Sequence, residues 1–154
     1  MRILDLFCCA GGSAKGYANA GFDVVGVDVE PQPHYPYEFH QSDALSFPFD
    51  GFDAIHASPP CQGYSVTRAM HQGKQHPMLI ESTRARLVSS GLPYVIENVP
   101  GAPLQNPVTL CGEMFGLRVI RHRLFESNFY IPQPRHAPHR PGGTGIHMKK
   151  ALGR

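Results

Sequence analysis

No stretch of the 154-residue sequence approaches the apolar length needed to cross a membrane. Its first dozen residues, MRILDLFCCAGG, lack the layout of a secretory signal. Cysteine is scarce: there are four, at positions 8, 9, 61 and 111, and none forms a C-x-x-C pair. That excludes a disulfide scaffold and leads us to expect free thiols in a reducing, cytoplasmic compartment. The nine histidines are scattered and show none of the spacings of a zinc site, so the sequence assigns no metal. Acids are few in the second half. Residues 1–57 hold two Lys/Arg against eight Asp/Glu, whereas residues 58–154 hold twelve against four. The asymmetry fits two faces with different partners, the basic one suited to phosphates; a solvated basic surface explains it equally well.

The length implies one domain with a real core. RILDLFC (2–8) reads as a short strand that ends in a glycine turn, AGGS. A helix is expected over 13–21, with Ser13 as its N-cap and Gly21 as its stop. DVVGVDV (23–29) is β-branched and continuous, as in a strand covered on both faces. A short strand around FHQSDA follows, then FDAIHAS (52–58), a helix over 78–90, and PYVIENV (93–99). Strands alternating with helices predict right-handed crossovers and a largely parallel, Rossmann-like α/β sheet with helices on both faces. AGGS, DVEP, SDA, SPPCQ and ENVPG would then open onto one rim, where such folds bind ligands. Residues 1–127 are expected to form the working domain. Residues 128–154, rich in proline and glycine, with five Lys/Arg and no acid, read as a poorly ordered basic tail.

Gly11 and Gly12 allow the backbone to approach a ligand and aim helix N–H groups at it, although the loop is neither G-x-G-x-x-G nor a phosphate loop. Asp28 ends the second strand, where a carboxylate can accept from ribose hydroxyls; Asp43 could accept from an exocyclic amine. Together they point to a nucleoside-bearing cofactor. Cys61 opens a loop with Arg68, Lys74 and histidines but no acid, a setting for a nucleophilic thiolate. A buried, inert thiol is the alternative. It suits Cys8 and Cys111 better, because Pro59-Pro60 pushes Cys61 out of the sheet. Glu97 stands among Val95, Ile96 and Val99, where a carboxyl is costly unless protonated, paired or catalytic. A structural capping role competes with catalysis there.

In order along the chain, these segments resemble the DNA (cytosine-5) methyltransferases from residue 3 to about residue 127. DLFCCAGG looks like the family's cofactor loop, SPPCQGYS its Pro-Cys-Gln loop, ENV its glutamate motif and RHR (121–123) its Arg-x-Arg element. The resemblance implies S-adenosylmethionine as cofactor, held by Phe7, Gly11, Gly12, Asp28, Val29, Asp43 and Pro60. It implies Cys61 as the nucleophile, Glu97 as the acid that grips the base, and Arg121 with Arg123 around a cytosine flipped out of duplex DNA. The 60–77 loop would close over that base. A bacterial or phage-infected cell, with a role in restriction-modification, is the matching setting. Four positions depart from the family pattern: Cys9 and Ser42 stand for glycines, Tyr64 for a phenylalanine and Val119 for a glutamine. Only 27 residues follow Ser127, and neither a target-recognition region nor the family's closing motif is found in them. A truncated product, half of a split enzyme, or a minimal enzyme that reads DNA through a second chain are the readings this leaves open. The same chemistry on RNA, or a non-catalytic module that completes a partner, are the rival readings.

Overall fold

The computed structural model describes residues 1–64 and 76–139. Most of the expected 60–77 cover loop, with Arg68 and Lys74, lies outside the described residues, as does the tail from residue 140. The elements run β1 (Arg2–Leu6), α1 (Gly12–Asn19), β2 (Asp23–Asp28), β3 (Glu38–Gln41), β4 (Ala54–Ala57), α2 (Ile80–Ser90), β5 (Tyr94–Asn98), β6 (Val108–Cys111), a 3-10 turn (Gly112–Phe115) and β7 (His122–Ser127). They build one sheet in the order β3-β2-β1-β4-β5-β7-β6. β1 to β5 pair in parallel, and β7 runs against both β5 and β6.

Period-two alternation decides what each face carries. Leu4, Leu6, Val25, Val27, Ile55, Ala57, Tyr94 and Ile96 are buried on the side of α2, where Leu87 joins them. Ile3 and Val24 face α1 and pack with Ala14, Cys8 and Tyr35. The α1 face also takes polar side chains from inside the strands, since Asp5 and His56 are register partners there and both are buried. β2, buried from Val24 to Asp28, is covered on both sides as its composition requires.

Helix α1 begins one residue earlier than the sequence suggests, and Ser13 is not its N-cap. Gly11 takes that place at φ 83°, a left-handed turn that a side chain would resist. Ser13 lies inside the helix, and its hydroxyl donates to both carboxylate oxygens of Asp5 at 3.1 and 3.0 Å. Helix α2 stops where Gly91 adopts φ 69°, a C-terminal cap favoured by glycine. Its first turn has no side-chain cap of its own; the Tyr64 hydroxyl accepts the Ile80 N–H at 3.3 Å instead. Arg84 of α2 forms a two-pronged, buried ion pair with Glu126 of β7 at 2.7 and 2.8 Å, and also donates to the Pro103 carbonyl at 2.8 Å.

The stretch 128–139 has no helix or strand, yet it is tied to the sheet edge. The Gln133 amide donates to the Thr109 carbonyl at 3.0 Å, and His136 and His139 stack against His122 of β7.

Candidate active site

Strand order reverses between β1 and β4, because the chain winds outward to β2 and β3 on one side and to β5 on the other. A crevice forms at such a reversal, beyond the carboxyl ends of the strands. The loop after β1 holds Phe7 to Gly12, and the loop after β4 holds Pro59, Pro60 and Cys61. The ladder continues into both: Cys8 N–H donates to Val27 O, and Ser58 N–H to Leu6 O. The two loops therefore start from fixed positions, side by side.

A cleft of about 760 Å³ opens there on the α1 side of the sheet. Phe7, Cys9, Gly12, Glu97, Arg121 and Arg123 stand around it, with Tyr17, His56 and Phe125 beneath. Cys61 is half-buried and is not among the residues that line the cleft, but it interacts electrostatically with two that are, Cys9 and Arg123. Glu97 is not in the apolar rim its sequence neighbours suggest. Its carboxylate lies 2.7 Å from the Arg123 guanidinium, and both side chains are 22% exposed. Burial and the neighbouring Arg121 lower Arg123's hold on its proton, while Glu97 and Cys61 strengthen it. The site thus gathers two guanidinium groups, one carboxylate and one thiol.

The three cysteines near the cleft are not equivalent. Burial and the acids Asp5 and Asp28 push the Cys8 thiol up, and burial and Asp28 do the same to Cys9. A thiol held protonated is a poor nucleophile. Cys61 interacts electrostatically with the Arg123 guanidinium. Its loop is set by Asn98, fully buried at the end of β5, whose amide donates to the Pro59 carbonyl at 2.8 Å and whose oxygen accepts the Val99 N–H. Adjacent residues of one strand thus do opposite work: Glu97 faces the cleft and Asn98 fastens the thiol's loop.

The remaining residues expected at the cofactor are spread along the same rim. Phe7 and Cys9 take left-handed backbone, φ 59° and 45°, a strained path at the cleft wall. Gly12 is exposed, with open space where a side chain would stand. Gly11 differs: a methyl there would meet the Tyr35 ring and Pro36 at 3.1 Å, so the position has no room for a side chain. Asp28 is buried and already accepts the backbone N–H groups of Cys9 and Glu30, both at 3.0 Å. Val29 is 64% exposed for an apolar side chain, and Asp43 is exposed with one oxygen capping Leu45 N–H. Asp28, Val29, Asp43 and the half-buried Pro60 lie outside the cleft lining.

Sequence reasoning missed the polar floor. Burial pushes Asp5 up to about 7 and depresses His56 to about 4. His56 is bridged to the Tyr17 hydroxyl at 3.0 Å and the Ser58 hydroxyl at 2.8 Å. The signal was available: a histidine and an aspartate inside short apolar strands are costly without partners. The structure also corrects the reading of the histidines as scattered, because Cys111, His122, His136 and His139 converge at the far edge of the sheet. Among the described residues no helix is long and apolar enough to cross a membrane.

No curated protein matches the chain in sequence. Many solved structures resemble it, and two of them show the shared fold. The Entamoeba histolytica methyltransferase EhMeth superposes with a TM-score of 0.61 at 14% identity, over 90% of this chain and 57% of that one. The S. pombe Dnmt2 methyltransferase superposes with a TM-score of 0.58 at 15% identity, over 86% of this chain and 51% of that one. The chain therefore spans about half the length of these structures. The sequence profile of the C-5 cytosine-specific DNA methylases matches residues 1–107, well over half of the chain. On that match the chain belongs to the C-5 cytosine-specific DNA methylase family, whose methyl donor is S-adenosylmethionine.

Proposed function

We propose that the chain carries the catalytic portion of a DNA cytosine-5 methyltransferase, with Cys61 as nucleophile, Glu97 as base-binding acid, and Arg121 and Arg123 as the clamp on an extruded nucleotide. One observation carries this reading. The Glu97 carboxylate is fixed 2.7 Å from Arg123, with Cys61 in electrostatic reach, at a cleft walled by the glycine loop.

The residues present fit the methyl donor. S-adenosylmethionine supplies an electrophilic methyl group on a sulfonium sulfur. Gly12 leaves open space at the start of α1, and a cleft of about 760 Å³ has the size of ordinary cofactor sites. Phe7 and the exposed Val29 offer apolar faces to a purine. Asp28 and Asp43 offer carboxylate oxygens to hydroxyl and amine groups, and Pro60 closes the end nearest the thiol.

Aromatic cytosine is a weak carbon nucleophile, so the chain must first disrupt the ring's conjugation. The Cys61 thiolate adds to C6, and Glu97, oriented by Arg123, accepts from the exocyclic amine and shares a proton with N3, which takes up the displaced electron pair. Electron density then rises at C5, the atom that a bound sulfonium donor would methylate, its S–CH3 bond breaking to leave a neutral thioether. Loss of the C5 proton to solvent restores the double bond and expels the thiolate. Covalent activation, alignment and charge stabilisation each lower the barrier. Duplex stacking hides C5 and C6, so the base is flipped out, and Arg121 and Arg123 neutralise its surroundings.

The test is covalent trapping on 5-fluorocytosine, in duplex DNA and in RNA, with the native chain and Cys61→Ser. A DNA adduct that the serine variant cannot form is the expected result. An adduct on RNA alone overturns the DNA reading. No adduct on either, with the methyl donor still bound, overturns the catalytic reading and leaves a module that completes a partner.

A further inference from the structure

We propose that Cys111, His122, His136 and His139 bind a structural zinc ion, which fastens residues 128–139 to the β6–β7 hairpin. The ligand atoms of these four side chains all lie within 4.8 Å of one another, and the facing Nε2 atoms of His122 and His136 are 3.1 Å apart. A tetrahedral zinc ion with ordinary Zn–S and Zn–N bonds of about 2.3 and about 2.0 Å sets its ligand atoms roughly 3.5 Å apart. Small rotations of the side chains therefore close the set around one ion.

The backbone explains how the cluster arises without a spacing motif. Cys111 and His122 are register partners in the antiparallel β6–β7 pair, so both project to the same face. The other two ligands come from the strap, as His136-x-x-His139, delivered where Gln133 hydrogen-bonds Thr109. The three imidazoles pack with ring centroids 4.7 to 5.0 Å apart.

The surroundings suit ligation. The Glu113 carboxylate contacts His139 Nδ1, which leaves Nε2 to face the cluster. A carboxylate behind a ligating histidine fixes its tautomer and orientation. Cys111 is buried, and its sulfur accepts the Met114 backbone N–H and lies 4.0 Å from the Val119 carbonyl. Three imidazoles and one thiolate select zinc over the hard cations, and four protein ligands leave no open position, as in structural sites. On binding, the ion displaces the Cys111 proton to solvent.

Placement gives the ion a purpose. His122 stands between Arg121 and Arg123, and those two arginines line the cleft while His122 meets Cys111. A metal on His122 therefore steadies the strand end from which both guanidinium groups reach into the cleft.

The test uses the full 154-residue chain, purified without chelator, with metal content measured by mass spectrometry. Zinc near one equivalent is expected. Cobalt in its place should give intense visible bands of tetrahedral coordination and a thiolate charge-transfer band that Cys111→Ser abolishes. His136→Ala/His139→Ala alters only the strap, so the sheet keeps its far-ultraviolet signal. That variant should lose at least tenfold in zinc affinity and become cleavable by trypsin at Arg135. Zinc well below stoichiometry, or wild-type zinc affinity in the double variant, overturns the proposal. Both readouts are independent of trapping, so failure of the catalytic reading leaves this one standing.

Discussion

Asp5 and His56 are buried neighbours on adjacent parallel strands, and they titrate in opposite senses. Burial raises Asp5 from 3.8 to about 7, so the folded protein keeps a proton that the unfolded chain releases across that window. Stability carried by this group is present below about pH 4 and falls as pH rises to about 7, by about 4 kcal/mol in all. His56 moves from 6.5 to about 4, so the unfolded chain takes up a proton that the folded protein refuses. That contribution is present above about pH 6.5 and is lost, by about 3 kcal/mol, as pH falls to about 4. Between about pH 4 and about pH 6.5 the two slopes, each about 1.4 kcal/mol per pH unit, oppose each other. Asp5→Asn keeps an acceptor for Ser13 and removes the falling slope; His56→Gln keeps hydrogen bonding to its hydroxyl neighbours and removes the rising one. Urea unfolding at about pH 4.5 and about pH 6.5 should show Asp5→Asn gaining roughly 3 kcal/mol on the native chain with rising pH. His56→Gln should lose a similar amount over the same interval. If the difference between Asp5→Asn and the native chain is independent of pH, the buried-proton account of the cleft floor is wrong.

Glu126→Gln leaves Arg84 buried opposite a neutral amide, and we expect a loss of about 3–5 kcal/mol in denaturant unfolding. Arg84→Met/Glu126→Leu should recover most of that, because no unpaired charge remains. Asn98→Ala removes the donor to Pro59 O and the acceptor for Val99 N–H, with an expected cost of about 1–3 kcal/mol. Fluorocytosine trapping should slow further than cofactor affinity falls, because the Cys61 loop loses its anchor while Gly12 and Phe7 keep theirs; equal losses in both would refute this division.

The parallel half of the sheet was legible because its signals are local. Continuous β-branched runs, the glycine stop at Gly21, and loops at strand ends each depend on a few neighbouring residues. Asp28 ends β2 as its sequence position suggests, and its two oxygens also accept the backbone N–H groups of Cys9 and Glu30. The antiparallel hairpin β6–β7 was not legible. Its strands are short, mixed in polarity and separated by a 3-10 turn, and their partners are set by distant residues. Ser13 misled because a serine before an apolar helix resembles a cap, whereas the buried Asp5, eight residues earlier, claims its hydroxyl. The Cys-His cluster was hidden because two of its ligands meet only through strand register and the other two arrive on a strap without regular structure.

The arginine clamp therefore rests on register more than on any local motif. Glu97 and Phe125 are partners across β5 and β7, which places Arg123 two residues further along and on the face of the cleft. A slip of one residue would turn Arg123 to the opposite face and carry His122 into the cleft. Two anchors oppose that slip. Glu126 is locked by Arg84 of α2, and the Asn128 side chain bonds Tyr94 N–H and Leu92 O at the start of β5, both at 2.9 Å. Both lie toward the end of β7. Its beginning, where Arg121 and Arg123 stand, is held from the other side by Cys111 and the histidines. A zinc ion there would complete the restraint at the one end of the strand that Arg84 and Asn128 do not reach.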